Sequence, residues 1–277
     1  MERNPFQFDS SNGTINGIYR NAGNDSPLVV IANGHNGFYN YGMFPYIQQT
    51  LVENGISSVA FNYTHSGIVG ENDFFEDLEK YGKNCRRLEK EDLLFVLQQV
   101  KNSFPDHSSA FVLAHSMGGI ATVFAAKEAA ENGIKLDGAI LLNCLSTLDV
   151  RSEEVMEKWK RDRVWLIRNN RTLQDLPQGE EYLEETIASR GAGSWNPEPV
   201  VRSLRIPLLV AHADTDESVP IWHGEKLVEW STGNHPKTHF HSIKNGSHTL
   251  NTKHPFEGTN PILDGFLKTA IEWIRKA

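Results

Sequence analysis

Short apolar runs alternate with amphipathic segments along most of the chain. Residues 28–32 are apolar at every position, which is typical of a strand buried on both faces. Residues 46–53 then place Ile47 and Leu51 at helical spacing, before Asn54 and Gly55 indicate the end of the helix. The same alternation predicts strands at 58–62, 110–114, 138–143, 206–211 and 238–243, and helices at 88–100, 117–130, 224–230 and 261–274.

This order of elements predicts a sheet with helices on both faces. Strands joined through a helix pair in parallel, by right-handed crossovers. The amino terminus differs, because Phe6 and Phe8 precede Asn12 and Gly13, a pair that favours a tight hairpin turn, and residues 15–19 then return. The expected fold class is α/β, with a mostly parallel, doubly wound sheet that begins with an antiparallel hairpin.

The stretch from 145 to 204 is too long for a simple connection between two strands. We therefore expect a core at 1–144 and 205–277 and a helical cap insertion at 145–204. Pro197 and Pro199 are expected to stop helix formation and return the chain to the sheet. Helical spacing in the first half is shown by Val155, Met156, Trp159, Leu166 and Ile167, and a second short helix is indicated by Tyr182, Leu183, Thr186 and Ile187. The alternative is that these helices pack on the flank of the core.

Composition and charge narrow the class of protein. The chain has 277 residues, is 39% hydrophobic and carries 27 basic against 35 acidic residues, so its net charge of -8 argues against nucleic-acid partners. The sequence lacks an apolar run near the roughly 18 residues of a membrane span and an export signal, so we expect a soluble, cytoplasmic protein. Cys85 and Cys144 are expected to be reduced structural thiols. The acidic cluster at 71–79 is interpreted as a solvated face.

A serine stands where a predicted strand meets a predicted helix. Ala114 and Gly118 flank Ser116 with small side chains, which a sharp strand-to-helix corner requires. The helix amino terminus also offers unpaired N–H groups where an oxyanion could form. The alternative is a plain turn in which Ser116 caps the helix.

A serine hydroxyl needs an imidazole to accept its proton and a carboxylate to fix the tautomer of that imidazole. Candidates follow later predicted strands. Asp214, Asp216 and Glu217 come after the strand at 206–211, and His248 comes after the strand at 238–243. The chain order is thus serine, carboxylate, histidine.

These three segments resemble the α/β-hydrolase family over nearly the whole chain, and in particular its cap-bearing serine carboxylesterases, of the dienelactone-hydrolase-like or serine-aminopeptidase-like branch. Residues 114–118 resemble the family's GxSxG nucleophile elbow, with Ala114 in place of the first glycine. Residues 216–220 resemble its D-x-x-V-P signature, and residues 246–248 its small-residue-plus-histidine loop. The resemblance implies that Ser116 is the nucleophile, His248 the general base and Asp216, rather than Asp214, the acid.

Asn33, Gly34 and His35 stand where many members of that family carry His-Gly-x. The resemblance implies that the backbone N–H groups of His35 and Met117 form the oxyanion hole. Asn33 replaces the usual histidine, which leaves open which side chain braces the loop.

His65, Trp159 and Trp165 are candidates for lining the substrate pocket, although internal packing of the cap explains the two tryptophans equally well. His212 is expected to brace the acid loop. His235, His239 and His241 are interpreted as a solvated edge strand rather than as metal ligands, since no HExxH or Cys/His set accompanies them. We expect no metal and no organic cofactor.

The sequence therefore predicts a serine hydrolase that cleaves carboxylic esters through an acyl-enzyme, with a small-molecule acyl ester and water as its partners. The same residues would also serve a thioesterase, an amidase or peptidase, a C–C hydrolase or an acyltransferase. The alternative of another class is a small-molecule receptor with little turnover on the same scaffold. The sequence leaves the oligomeric state open.

Overall fold

The computed structural model describes residues 2–104, 106–232 and 238–277. His235 lies outside the described residues. The strands are β1 Asn4–Ser10, β2 Gly13–Arg20, β3 Leu28–Ala32, β4 Ser57–Phe61, β5 Ala110–His115, β6 Gly138–Leu142, β7 Trp165–Arg168, β8 Asp175–Gln178, β9 Leu208–Ala213 and β10 Thr238–Ile243. The helices are α1 Phe44–Glu53, α2 Leu78–Gly82, α3 Arg86–Ser103, α4 Gly118–Glu131, α5 Glu153–Asp162, α6 Glu180–Ala188, α7 Pro197–Ser203, α8 Trp222–Thr232 and α9 Pro261–Ile274.

The central sheet confirms the predicted fold class. Within the described ranges it has eight strands in the order β1-β2-β4-β3-β5-β6-β9-β10. The pairs β1–β2 and β2–β4 are antiparallel, and all later pairs are parallel. The carboxyl ends of β3, β5, β6, β9 and β10 therefore meet at one edge of the sheet, where ligands bind in folds of this class.

Apolar side chains cover both faces of this sheet. Leu93 of α3 and Leu227 of α8 pack with Val30 and Val112 on one face. On the opposite face, Ile47 of α1 and apolar side chains of α9 pack against the strand residues that point to that side. The strand β9 begins two residues later than predicted, after Pro207, which cannot donate a ladder hydrogen bond.

The hairpin forms, but its turn lies one residue earlier than predicted. Ser10 pairs with Gly13, so Ser11 and Asn12 form the loop. The Ser10 hydroxyl accepts from Asn12 N–H at 3.2 Å and donates to the Gly13 carbonyl at 2.9 Å, which closes the turn. The prediction that Asn12 and Gly13 form the turn was therefore wrong, and of the two only Gly13 has a positive φ, +129°.

The segment 145–204 between β6 and β9, which the sequence predicts to be a helical insertion and which is called the insertion below, is not purely helical. The expectation that Leu166 and Ile167 extend a helix was wrong, because Arg163 ends α5 in the left-handed conformation with φ +59°. The chain then forms β7, which pairs antiparallel with β8. Asn169 closes this hairpin by accepting from the N–H groups of Arg171 and Thr172.

The two prolines at the end of the insertion begin a helix instead of preventing one. Asn196 caps α7 by accepting from Glu198 N–H at 3.0 Å, and Pro197 follows at the first helical position, where no N–H is needed. Val200 and Val201 join the core cluster, and α7 packs against α4 and α8. This helix therefore lies on the flank of the sheet.

The segment around Ile68 and Phe75, in which the hydrophobic pattern predicted no strand or helix, contacts the insertion. Ile68 and Phe75 form an antiparallel bridge, and Phe75 packs with Tyr81 of α2 and Leu176 of β8. Residues 71, 73, 76 and 79 of the acidic cluster are exposed, as interpreted, whereas Asp77 caps α2 by accepting from Lys80 N–H.

Glu185 of α6 in the insertion caps the core helix α3. Its carboxylate accepts from Arg86 N–H at 2.5 Å and from Arg87 N–H at 2.9 Å, whereas the preceding Cys85 provides no side-chain cap. These bonds satisfy two of the N–H groups that every helix start leaves unpaired. A core helix thus depends on a residue of the insertion.

Cys85 and Cys144 are free and buried. Within the described ranges, every helix is too short or too polar to cross a bilayer.

Candidate active site

Ser116 occupies a sharp corner between β5 and α4. Its φ is +55°, in the left-handed region that L-residues rarely adopt. A Cβ at Gly118 would come within 2.5 Å of the Asn33 carbonyl oxygen, so a side chain there would force the two loops apart. The corner therefore requires a residue as small as Gly118 at this position.

The loop at residues 33–35 runs directly against this corner. A Cβ at Gly34 would lie 2.8 Å from Ser116 Cβ and 3.3 Å from Met117 N. Within the described residues, the backbone N–H groups of His35 and Met117 have no hydrogen-bond acceptor. The loop thus contacts the corner through Gly34, and the residues that follow Gly34 and Ser116 each have an unpaired backbone donor.

The side chain that braces this loop, which the sequence left open, is that of Asn33. Its Nδ2 donates to the Phe61 carbonyl at 2.9 Å, and the side chain is buried. The amide therefore ties the loop after β3 to the end of the neighbouring strand β4.

His248 and Asp216 form a hydrogen-bonded pair, with Nδ1 of the imidazole 2.8 Å from Oδ2 of the carboxylate. The other carboxylate oxygen accepts from the N–H groups of Ser218 at 2.8 Å and Val219 at 2.7 Å. Burial opposes ionisation of Asp216, but the hydrogen bond and charge of His248 and the two backbone donors outweigh it, so the pKa of Asp216 lies below its ordinary value. His212 supports this loop by donating from Nε2 to the Val219 carbonyl at 2.8 Å.

The backbone of His248 is fixed next to the residue that precedes Ser116. Its carbonyl accepts from His115 Nε2 at 2.9 Å and from Asn143 Nδ2 at 2.9 Å, and the two imidazole rings are 4.7 Å apart. Asn143 also accepts from Ala213 N–H at 2.8 Å, at the end of β9. The ends of β5, β6, β9 and β10 are thereby joined. Ser116 Oγ itself makes no hydrogen bond within the described residues.

Aromatic side chains of the insertion pack near Met117 at this corner. Tyr182 donates its hydroxyl to Met117 Sδ at 3.8 Å and packs edge-on against Trp159. Trp159 is fully buried in the same cluster as Met117, whereas Trp165 is only partly buried beside it. The hydrogen bond of His65 is to Thr64 Oγ1, and no hydrogen bond or ring contact joins His65 to Ser116, Asp216 or His248.

Sequence reasoning did not find Tyr81 or Gln178 in this region, and it identified Tyr182 only by its helical spacing. Tyr81 and Gln178 both contact the ring of His35 at 3.0 Å. Neither belongs to a motif, and only their position in the fold reveals them. Asn143 could have been found, because it follows directly after a buried strand and so lies at the edge where the other candidates meet.

A separate cavity of about 490 Å³ lies at the amino ends of β3 and β5. It is lined by residues such as Leu28, Lys101, Ala110, Ile134 and Asp137, and none of Ser116, Asp216 or His248 borders it. This cavity is therefore distinct from the candidate site. Among the described residues, no group of three His, Cys, Asp or Glu side chains could hold a metal ion.

Buried neutral histidines should make this fold sensitive to acid. Burial lowers the pKa of His35 and His115 to about 3 and that of His223 to about 4, and at His35 the charges of Arg86 and Arg151 act in the same direction. In the unfolded chain these groups bind protons near pH 6.5. The three histidines therefore do not reduce the free energy of unfolding above that pH, but they reduce it as the pH falls below it. Between pH 7 and pH 4.5 we expect urea titrations to show a loss of more than about 2 kcal/mol in the free energy of unfolding.

Three carboxyl groups act in the opposite direction, because burial raises the pKa of Glu89 to about 7 and also raises those of Asp92 and Glu185. Burial also lowers the pKa of four further histidines, which add to the acid sensitivity: His65, His107, His212 and His241. His223→Asn is a suitable test variant, since an amide oxygen can replace Nδ1 as the acceptor from Ser146 N–H. This variant should lose less stability in acid than the wild type. Equal free energies of unfolding at pH 7 and pH 4.5 would contradict the expectation.

Comparison with known proteins identifies the fold. The esterase domain from a Rhodothermus marinus protein is 18% identical, with a TM-score of 0.66 over 100% of this chain and 99% of its own. GrgF, an α/β hydrolase from Penicillium sp. sh18, is 16% identical, with a TM-score of 0.73 and the same coverage. Est1E from Butyrivibrio proteoclasticus with ferulic acid bound is 16% identical, with a TM-score of 0.70 over 98% of this chain and 96% of its own. No family profile and no curated protein sequence matches the chain.

The chain therefore has the α/β-hydrolase fold, as the sequence motifs indicated.

Proposed function

We propose that this protein is a serine hydrolase that cleaves carboxylic esters through an acyl-enzyme intermediate. The observation that carries the proposal is the hydrogen-bonded pair of His248 and Asp216. The backbone carbonyl of His248 accepts a hydrogen bond from the ring of His115, the residue before Ser116. Because His248 uses Nδ1 to bind Asp216, its Nε2 remains to accept a proton from a hydroxyl. A binding protein has no need of this pair.

In the proposed reaction Ser116 Oγ attacks the ester carbonyl carbon while His248 Nε2 takes the hydroxyl proton. The carbonyl oxygen becomes an oxyanion, which the N–H groups of His35 and Met117 stabilise. When the tetrahedral species collapses, the bond to the alcohol breaks and His248 returns the proton to that alcohol. A water molecule, deprotonated by His248, then attacks the acyl carbon; the bond to Ser116 Oγ breaks, His248 returns the proton to that oxygen, and the carboxylic acid is released.

Asp216 supports both steps by holding the imidazole in one orientation. Its lowered pKa keeps the carboxylate ionised at neutral pH, so it stabilises the imidazolium that forms when Ser116 loses its proton. The proposed cap comprises residues 145–204. The contact of its Tyr182 with Met117 supports a role in covering the acyl group, with Trp159 behind it.

A fluorophosphonate probe and an ester panel test the proposal. We expect the probe to label Ser116, with the adduct located by peptide mass spectrometry, and p-nitrophenyl acetate, butyrate and octanoate to be hydrolysed. A feruloyl ester belongs in the panel, since ferulic acid binds a structural neighbour at 16% identity. Binding of a small molecule without labelling or turnover would contradict the proposal and favour the receptor alternative.

A further inference from the structure

Gln178 is a buried polar residue at the end of β8 in the insertion. Its Oε1 accepts from Arg151 Nη2 at 2.6 Å, and its Nε2 lies 3.0 Å from His35 Nε2. Its backbone carbonyl accepts from Trp159 Nε1 at 3.0 Å. The side-chain amide of Gln178 thus lies between Arg151 and His35, which belongs to the loop that packs against Ser116.

The chemistry of these partners fixes the direction of each hydrogen bond. A guanidinium only donates, so the oxygen of the Gln178 amide must face Arg151 and its NH2 group must face His35. The ring nitrogen that receives this bond is therefore an acceptor, and the neutral imidazole carries its proton on Nδ1. Burial, followed by the charges of Arg86 and Arg151, lowers the pKa of His35 to about 3, which agrees with a neutral ring at neutral pH.

The acceptor nitrogen of His35 has two polar neighbours. Tyr81 Oη lies 3.0 Å away but donates its single proton to Asn36 Oδ1, so the hydrogen bond to the ring comes from Gln178 of the insertion. On the other side of Gly34, Asn33 fixes the loop to β4. The Gly34–His35 peptide, which packs against Ser116 through Gly34, is therefore held by Asn33 before it and by the His35 ring after it.

We propose that Gln178 is a positioning residue for the oxyanion hole: by hydrogen bonding to the His35 ring, it holds the His35 backbone N–H toward Ser116. The insertion then helps to assemble the reactive site in addition to covering it. This inference rests on the proposed hydrolase function, in which that N–H stabilises the tetrahedral intermediate.

Gln174 provides a matched control on the same hairpin. Its amide accepts from Phe75 N–H at 3.1 Å and donates to the Phe75 carbonyl at 2.7 Å. It therefore also ties the insertion to the segment around Phe75, through an amide side chain, but it does not touch His35. Gln174→Leu removes an anchor of the insertion without removing the contact to the oxyanion loop.

We expect Gln178→Leu to lower kcat by about 10-fold to 100-fold with little change in KM, because a misplaced oxyanion donor affects the transition state more than the bound ester. The affinity for a boronic acid that forms a tetrahedral adduct on Ser116 should fall by a similar factor. Gln174→Leu should change both quantities less than about threefold. Circular dichroism and thermal melting compare the folding of the two variants.

Gln178→Glu tests the same contact when Gln178→Leu fails to fold. A carboxylate still accepts from Arg151 but cannot donate to His35, so the ring must carry its proton on Nε2 to keep the bond. Nitrogen-detected NMR of the His35 ring should show the proton on Nδ1 in the wild type and on Nε2 in this variant. An unchanged ring state would overturn the proposal.

The kinetic outcomes separate this inference from the proposed function. An active wild type with a Gln178→Leu variant that retains kcat, or that loses no more than Gln174→Leu, overturns the role of Gln178 alone. A wild type that neither reacts with a fluorophosphonate nor hydrolyses any ester overturns the hydrolase proposal, and the oxyanion role of Gln178 with it.

Discussion

We expect Ser116→Ala to lower kcat for a p-nitrophenyl ester by about 10⁴-fold or more. The variant keeps the oxyanion donors and the His248–Asp216 pair, so binding and some electrostatic stabilisation remain, but it cannot form the acyl-enzyme. Initial rates at saturating substrate measure the loss. Fluorophosphonate labelling should disappear in the same variant.

A serine far from the site provides the control for this substitution. Ser203 lies at the end of α7, where its hydroxyl donates to the Val200 carbonyl. Ser203→Ala should retain nearly all of kcat and the labelling. Turnover near the wild-type level by Ser116→Ala would remove the nucleophile assignment.

The second large effect is expected from Asp216→Asn, which should lower kcat by about 10⁴-fold. The oxygen of an asparagine at 216 would keep the hydrogen bonds from Ser218 and Val219 N–H, which only donate. Its NH2 group would then face His248 Nδ1 and make that nitrogen an acceptor. The imidazole proton would move to Nε2, where it blocks acceptance of the Ser116 proton.

Asp214 is the matched control, because the sequence offered it as the competing carboxylate. In the structure it accepts from Asn245 N–H at 2.7 Å and pairs with Lys244, and it does not bind His248. Asp214→Asn should therefore change kcat less than about tenfold. If Asp214→Asn were the more damaging variant in steady-state kinetics, the assignment of the acid would be wrong.

The hydrophobic pattern predicted the sheet well because strands buried on both faces leave unbroken apolar runs such as 28–32. It failed where a local interaction or a conformational preference decided the structure. The hydrogen bond of the Ser10 hydroxyl places the hairpin turn one residue earlier than the pattern predicts. The left-handed conformation of Arg163 ends a helix, although the apolar spacing continues to Leu166 and Ile167. Pro197 began a helix because Asn196 capped it.

The candidate site was predictable where chemistry depends on neighbours in sequence, as at Ser116 between two small residues. The expected contact between His248 and Asp216 also follows from the fold, since both residues come after neighbouring parallel strands. The contacts of His35 could not be predicted. They join residues 46 and 143 positions away, through side chains in segments without periodic pattern.

The cap that Glu185 provides for α3 has a consequence for synthesis of the chain on the ribosome. The carboxylate lies 99 positions after the Arg86 N–H that it accepts from. At about 5–20 residues per second, the start of α3 leaves the ribosome roughly 5–20 seconds before its partner does. During that interval the nascent helix has no cap from Glu185, so the amino-terminal part of the chain completes its folding only after the insertion has been translated.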